Sequence, residues 1–474
     1  MANQNLLTYG SKLLQLKQDY YSPGAYLQNS SVPIESIYCF LSHIGAWPDD
    51  NNPPVPTQDQ KYIKDVFKNM FVAKQITSNQ ITPVVQRIDW TSGTIYDYYQ
   101  DNVDMFTTDV NGLLVKSFYV KNRYDQVFKC LWNGSNLNNP NGTPSIDEPF
   151  FQPGSYNTNN VFVSGLDGYK WKYIYTIDIG SKVKFMDSTW IPVPVGQNTP
   201  NPLSTTAGIG SIDVINVINT GTGYDAVNSP VTITITGDGT GATANAVITG
   251  NLISDILVYN PGSNYTYANV IITPANTAIG SGASAIAPIS PVGGHGYDPA
   301  SELGCNHIMY ITEFSSTETL NGIDYVPTDI DYRQLGILVN PMALDTYPNF
   351  ANNSIYDLST QVGVAAGFGV YTSGEIVTQT DINTNSPTFG QITFSGTILS
   401  FNTSTNVIKL INTYGTPLYN YTITGQSSGC SRTLLSVSTP KFIKFSGYIA
   451  YIENRSGVQR SYDGTEQFKF VLGY

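Results

Sequence analysis

Gly425-Gln-Ser-Ser-Gly429 has the G-x-S-x-G spacing of a nucleophile elbow, where a serine is lifted on a sharp turn between a strand and a helix. The residues that follow, Cys430 to Val437, carry a strand pattern rather than a helical one, so the run is expected to be a turn. His295, Cys305 and His307 form a loose group of soft metal ligands. A structural zinc site needs four ligands, usually in tight pairs, and His43 and the other cysteines lie far off in sequence, so ordinary polar residues are expected there. Asp381-Ile-Asn-Thr-Asn385 opens like a calcium loop, but Ser386 stands where glycine is required and Ile392 where a bidentate glutamate should sit. The glycine runs 237–241 and 280–282 fall between strands and lack the Lys-Ser/Thr of a phosphate loop. Asp329 with Asp331, and Asp49 with Asp50, offer the paired carboxylates that glycoside hydrolysis uses, yet such pairs arise by chance among 35 acids. The reading is a chain without catalytic, cofactor-binding or metal-ligating residues.

The elements that would position any site are mostly strands. The one convincing helix follows Pro56, where Thr57-Gln-Asp-Gln60 has the capping-box pattern. Ile63, Val66, Phe67, Met70 and Phe71 then place five apolar side chains on one helical face, as a core-packing helix does. Ser36 to His43 is a short apolar run rich in β formers. Leu113 to Val120, Tyr124 to Trp132 and Tyr169 to Ile179 read as strands, the last with Tyr169, Trp171, Tyr173 and Tyr175 on one face and Ile174 and Ile177 opposite, so that both faces are covered. The Asn-, Pro- and Gly-rich stretch 133–160 reads as a long loop and a contact surface.

Two all-β insertions are expected. Ile212 to Tyr224 matches Ile253 to Tyr265 at an offset of 41 residues, and Gly239-Thr-Gly-Ala-Thr-Ala244 matches Gly280-Ser-Gly-Ala-Ser-Ala285 at the same offset. One such unit is too small to bury a face alone, so the two should pack on each other. From 368 to 437, short strands separated by Gly, Asn and Ser turns have the spacing of a small barrel. The expected organisation is a core over 1–204, 296–367 and 439–474, interrupted by a β-repeat module at 205–295 and a barrel-like module at 368–438.

Composition bounds the function classes. Charged residues are 12% of the chain and the net charge is −12, which gives no general attraction for nucleic acid or anionic membrane surfaces. No stretch approaches 18 apolar residues, so membrane insertion is not expected, and the N-terminus lacks the pattern of a secretory signal. Hydrophobic residues at 41%, with 33 Tyr and 20 Phe, suffice for packed cores. Four widely spaced cysteines fit buried, reduced thiols better than a disulfide framework.

Several ordered fragments together resemble the dimeric baseplate wedge protein family of T-even-type contractile-tailed bacteriophages. They are Trp47-Pro-Asp-Asp50 with its Pro-rich loop, the helix ending near Met70, Arg87-Ile-Asp-Trp90, Val127 to Leu131, Gly168 to Tyr173, Tyr332 to Pro341, and Tyr448 to Arg455 followed by Gln459 to Phe470. They cover about 1–200, 300–345 and 440–474, and the two β modules fall in the gaps. The resemblance implies a mainly-β fold, a β-sandwich core with a few helices in loops. It also implies a homodimer in the virion tail baseplate whose partners are other wedge subunits, including those bridging to the tail-fibre network, with no cofactor and no enzymatic role. Abundant Tyr suits interfaces, because it offers rigid contact area with one polar tip. Arg87, Asp89 and Trp90 are the interface candidates: Arg and Asp two residues apart can pair with each other or with a partner subunit, with Trp90 as anchor. A receptor-binding tail fibre or adhesin is the alternative, and a polysaccharide hydrolase the third reading.

Overall fold

The apolar run after Ser36 forms β1 (Ile37–Ser42), whose six residues are all buried, as expected of a strand covered on both faces. The computed structural model describes residues 36–152, 161–194, 209–276, 278–315, 319–320, 323–324, 327, 330–460 and 464–473. It is mainly β, with three α-helices among the described residues. Two compact units divide it, one of residues 82–309 and 471–473, the other of 36–81 and 310–470.

After β1 comes helix α1 (Gln60–Asn69) and then β2 (Val72–Gln75). Val66, Phe67 and Met70 of the apolar stripe pack with Tyr38, Phe40, Leu338 and Phe442. The cap differs from the expected box: Asp59 caps the helix, its Oδ1 accepting from the Tyr62 amide at 2.8 Å. Thr57 instead donates its hydroxyl to Asp59, because a carboxylate one residue before the helix reaches the open amides first.

Next come β3 (Ile81–Gln86), β4 (Tyr119–Lys121), β5 (Gln126–Asn133), β6 (Val161–Val163), β7 (Tyr169–Thr176), helix α2 (Ile179–Phe185) and β8 (Trp190–Pro192). The strand expected over Leu113 to Val120 shortens to β4, since Asp109 accepts from the Asn111 and Leu113 amides at 2.8 and 2.9 Å and turns the chain. β4, β5, β7 and β6 make one sheet in that order. Tyr169, Trp171 and Tyr173 share a face over an apolar core with Phe128 and Cys130. Tyr175 does not join them. Pairing runs from Phe128–Tyr173 to Val127–Tyr175, so Ile174 is an extra residue, and the bulge carries Tyr175 to the other face.

The repeats supply β9 (Asn216–Thr222), β10 (Val231–Gly237), β11 (Thr243–Thr249), β12 (Leu252–Asn260), β13 (Ala268–Pro274) and β14 (Ser281–Ile286). Their ladders are β9–β14, β10–β13 and β11–β12, so every strand pairs with the other repeat and none with its own. The shared core obeys the same offset: Ile212 and Ile253, Ile215 and Ile256, and Tyr224 and Tyr265 meet in one cluster. The Tyr224 hydroxyl accepts from the Ala283 amide at 3.3 Å, and Tyr265 from the equivalent Ala242 amide at 3.4 Å. A Cβ at Gly280 would lie within 3 Å of the Tyr224 ring, and one at Gly239 within 3 Å of the Tyr265 ring. The repeated glycine and tyrosine are thus two halves of one contact.

The chain continues through helix α3 (Pro299–Glu302), β15 (His307–Ser315), β16 (Thr319–Leu320), β17 (Ile323–Asp324), β18 (Asp331–Val339), β19 (Ile355–Asp357) and β20 (Thr360–Val364). Then follow β21 (Ile376–Thr380), β22 (Ile392–Asn402), β23 (Val407–Gly415), β24 (Thr422–Gly425), β25 (Ser431–Ser438), β26 (Tyr448–Gln459) and β27 (Thr465–Gly473). β19, β2, β1, β18 and β26 form one sheet in that order. β20, β23, β22, β21, β24 and β25 close a barrel around Val362, Val377, Ile398, Leu410 and Leu434. Its first strand lies before residue 368, where the module was expected to begin.

Candidate functional site

Among the described residues, a group of buried ionisable side chains lies on the β5–β7 face opposite the Trp171 core. Lys129 and Lys172 stand directly across from each other in the ladder, which alone would be repulsive. Each is neutralised from another element. Lys129 Nζ lies 3.1 Å from Glu302 of α3, with side chains 1% and 2% exposed, and Lys172 Nζ lies 2.9 Å from Asp213, just before β9. Lys170, on the same face, reaches Asp255 of β12 and the Ile215 carbonyl, both at 2.8 Å. The module's strands therefore dock on this sheet through charges as well as through the Asn216 amide, which donates to the Leu131 carbonyl at 3.0 Å.

His295 completes the group. Its Nδ1 is hydrogen-bonded to Glu302 Oε1, and the other carboxylate oxygen accepts from the Gly296 amide at 2.6 Å. Tyr99 stacks edge-on to His295 at 5.2 Å, takes the Lys129 ammonium over its ring at 3.7 Å, and donates its hydroxyl to the Ile289 carbonyl at 3.1 Å. Ser211 and Ser290 bond to each other through amide and hydroxyl groups, and Ser211 Oγ donates to Asp213 at 3.2 Å. Burial works to raise the Glu302 carboxyl, but Lys129 and His295 outweigh it and hold it at about 2. Asp213 is likewise raised by burial and brought below its ordinary value by Lys172 and His295. Burial pushes the His295 imidazole down, and Lys129 adds to that against the pull of Glu302 and Asp213. The resting charges are two ammoniums against two carboxylates, balanced with His295 neutral.

This network escaped sequence reading: both faces of the Tyr169 strand are expected to be covered, but a strand pattern does not say which distant acids meet its lysines. One signal was present. No Lys or Arg occurs between Lys184 and Arg333, so any buried acid of the repeat module must find its cation elsewhere in the chain.

The residues singled out from sequence have other surroundings. Arg87 Nε donates to Asp89 at 2.9 Å, Arg87 Nη1 to the Asp187 carbonyl at 2.8 Å, and Lys121 lies 3.1 Å from Asp89. The Trp90 indole donates to Ser145 Oγ at 3.0 Å while its ring packs on the Trp171 core, so all three interface candidates have partners within the chain. Gly425 to Gly429 is the turn between β24 and β25, its Ser427 and Ser428 amides donating to the buried Glu375 carboxylate at 3.0 and 2.9 Å. Cys305 Sγ contacts the Val84 carbonyl at 3.3 Å, and His307 lies against Trp190, its imidazole pulled down to about 4 by burial. Among the described residues no three His, Cys, Asp or Glu side chains are grouped to hold a metal ion. Asp381 accepts from the Asn383 amide and the Thr388 hydroxyl and so closes its own turn. Asp50 holds Arg333, while Asp329 lies outside the described residues. No protein-family model matches the chain, and no curated protein matches it significantly.

Proposed function

We propose that this chain is a non-enzymatic structural subunit of a contractile phage tail baseplate, a wedge component that acts through homodimer and inter-subunit contacts. The observation that carries the reading is that, within each unit, the fragments bearing the resemblance meet in space. Asp50 of the Trp-Pro-Asp-Asp run pairs with Arg333 at 2.8 Å, and Trp47 donates to the Arg455 carbonyl at 2.9 Å. Those arginines come from the fragments 332–341 and 448–455, which run along the neighbouring strands β18 and β26. In the other unit Trp90, Phe128, Cys130, Tyr169 and Trp171, from three further fragments, share one core. Segments that keep a family pattern for packing reasons should converge, and chance matches need not. The repeat module and the barrel each have an apolar cluster of their own, as insertions on a shared core would. Exposed Tyr259, Tyr267, Tyr414, Tyr419 and Phe368 supply aromatic area for contact with neighbours.

Such a subunit works by differences in contact energy between two packings of the assembly, which is how it would take part in rearrangement on infection. Light scattering on the purified chain should give a dimer, and antibody labelling of intact virions should mark the baseplate. A monomer absent from virions refutes the proposal. An SDS-resistant trimer would favour the fibre reading, and glycan hydrolysis lost in Asp329→Asn the hydrolase.

A further inference from the structure

The segment from Ser290 to Asp298 leads from the repeat module to α3 and combines a buried histidine with three glycines. His295 on it is buried, and Gly293, Gly294 and Gly296 beside it all have positive φ, at 88°, 87° and 82°. Glycines in that region supply a hinge that other residues would resist. The segment is held at both ends by polar contacts: Ser290 to Ser211, and His295 through Glu302 to Lys129.

We propose that this strap is a proton-operated latch, which clasps the repeat module to the β5–β7 sheet and releases when His295 takes up a proton. The groups that face His295 define the effect. Glu302 of α3 accepts its hydrogen bond through Oε1, Lys129 of β5 competes for that same oxygen at 3.1 Å, and the Tyr99 ring packs edge-on against the imidazole. Asp213, already committed to Lys172, acts on it from farther away. With His295 neutral the four formal charges cancel. A proton on the ring places a third cation among two carboxylates in a dry site, where Glu302 must already neutralise Lys129. Opening the strap at its glycines hydrates the imidazolium. Above pH 6.5 the closed form loses nothing; below it, closure excludes a proton that the open form binds, so the open fraction rises about tenfold per pH unit until the closed form also protonates.

Hydrogen exchange read by mass spectrometry between pH 8 and 5, corrected for intrinsic rates, tests the latch on the full chain. Peptides covering 290–305 should show an opening constant that is flat above pH 6.5 and climbs about tenfold per unit below it, while barrel peptides covering 392–411 show no such climb. His295→Asn, which keeps a donor for Glu302 but cannot titrate, should abolish the slope, and His307→Gln should leave it unchanged. A flat wild-type profile, or a slope that survives in His295→Asn, overturns the proposal. Should His295→Asn not fold, imidazole NMR on the wild type decides. Protonation of His295 must coincide with the loss of protection, and a ring that titrates freely with the strap still closed refutes the latch.

Discussion

Replacing Glu302 by Gln keeps the shape of the buried group and removes its charge. Lys129, 1% exposed, then holds an ammonium with no counter-charge in contact, and breaking a buried pair in this way costs about 3–5 kcal/mol. Linkage gives a second route to the magnitude. The Glu302 carboxyl is held at about 2 against an ordinary 4.5, and that gap at 1.36 kcal/mol per pH unit sets a ceiling of about 3 kcal/mol, since His295 contributes to it only when protonated. The contribution is complete above pH 4.5 and is lost as pH falls toward 2, because the unfolded chain protonates first. Urea unfolding at pH 7.5 followed by tryptophan fluorescence is the assay, since Trp90, Trp132, Trp171 and Trp190 belong to the same unit and only Trp47 to the other. Glu302→Gln and Lys129→Met should each destabilise that unit by about 3 kcal/mol, and the double variant by much less than their sum. If Glu302→Gln costs under about 1 kcal/mol, or the double variant is additive, the buried charges are not coupled and the docking argument falls.

Other variants probe separate parts of the molecule. Gly280→Ala drives a methyl into the Tyr224 ring, and Gly239→Ala one into Tyr265; each should destabilise the repeat module by an overpacking cost of about 1–3 kcal/mol, read by calorimetry as a lower unfolding midpoint. Glu375→Gln should loosen the β24–β25 turn, since the Thr372, Ser427 and Ser428 amides all donate to that carboxylate, and faster exchange of residues 425–431 would show it. Cys39, Cys130, Cys305 and Cys430 are buried and form no disulfide, so a thiol reagent should label none in the native chain and four in urea. Asp89→Asn should change monomer stability by less than about 1 kcal/mol, because Asp89 is exposed, Arg87 keeps the Asp187 carbonyl, and the buried Lys121 ammonium keeps Asp125 at 3.7 Å and the Asn122 carbonyl at 3.2 Å. A weakened dimer in sedimentation for the same variant would give the Arg87–Asp89–Trp90 corner an interface role.

Much of this protein is legible along the chain because the relevant physics is local. Strand alternation, glycine turns and the apolar stripe of α1 depend on residues a few positions apart, and the 41-residue repeat announces a module whose halves need each other. The turn at Gly425–Gly429 follows from the strand pattern after it. Partner identity is not local. That Tyr175 leaves the face of Tyr173 depends on a bulge set by pairing with β5, and that Lys129, Lys170 and Lys172 are buried depends on Glu302, Asp255 and Asp213 arriving from 173, 85 and 41 residues away. A lysine on a strand is compatible with water or with a buried acid, and the backbone pattern is the same for both. Only the packing of one element on another removes the water, and with it decides which charges must pair, which histidine must stay neutral and where a proton would be felt.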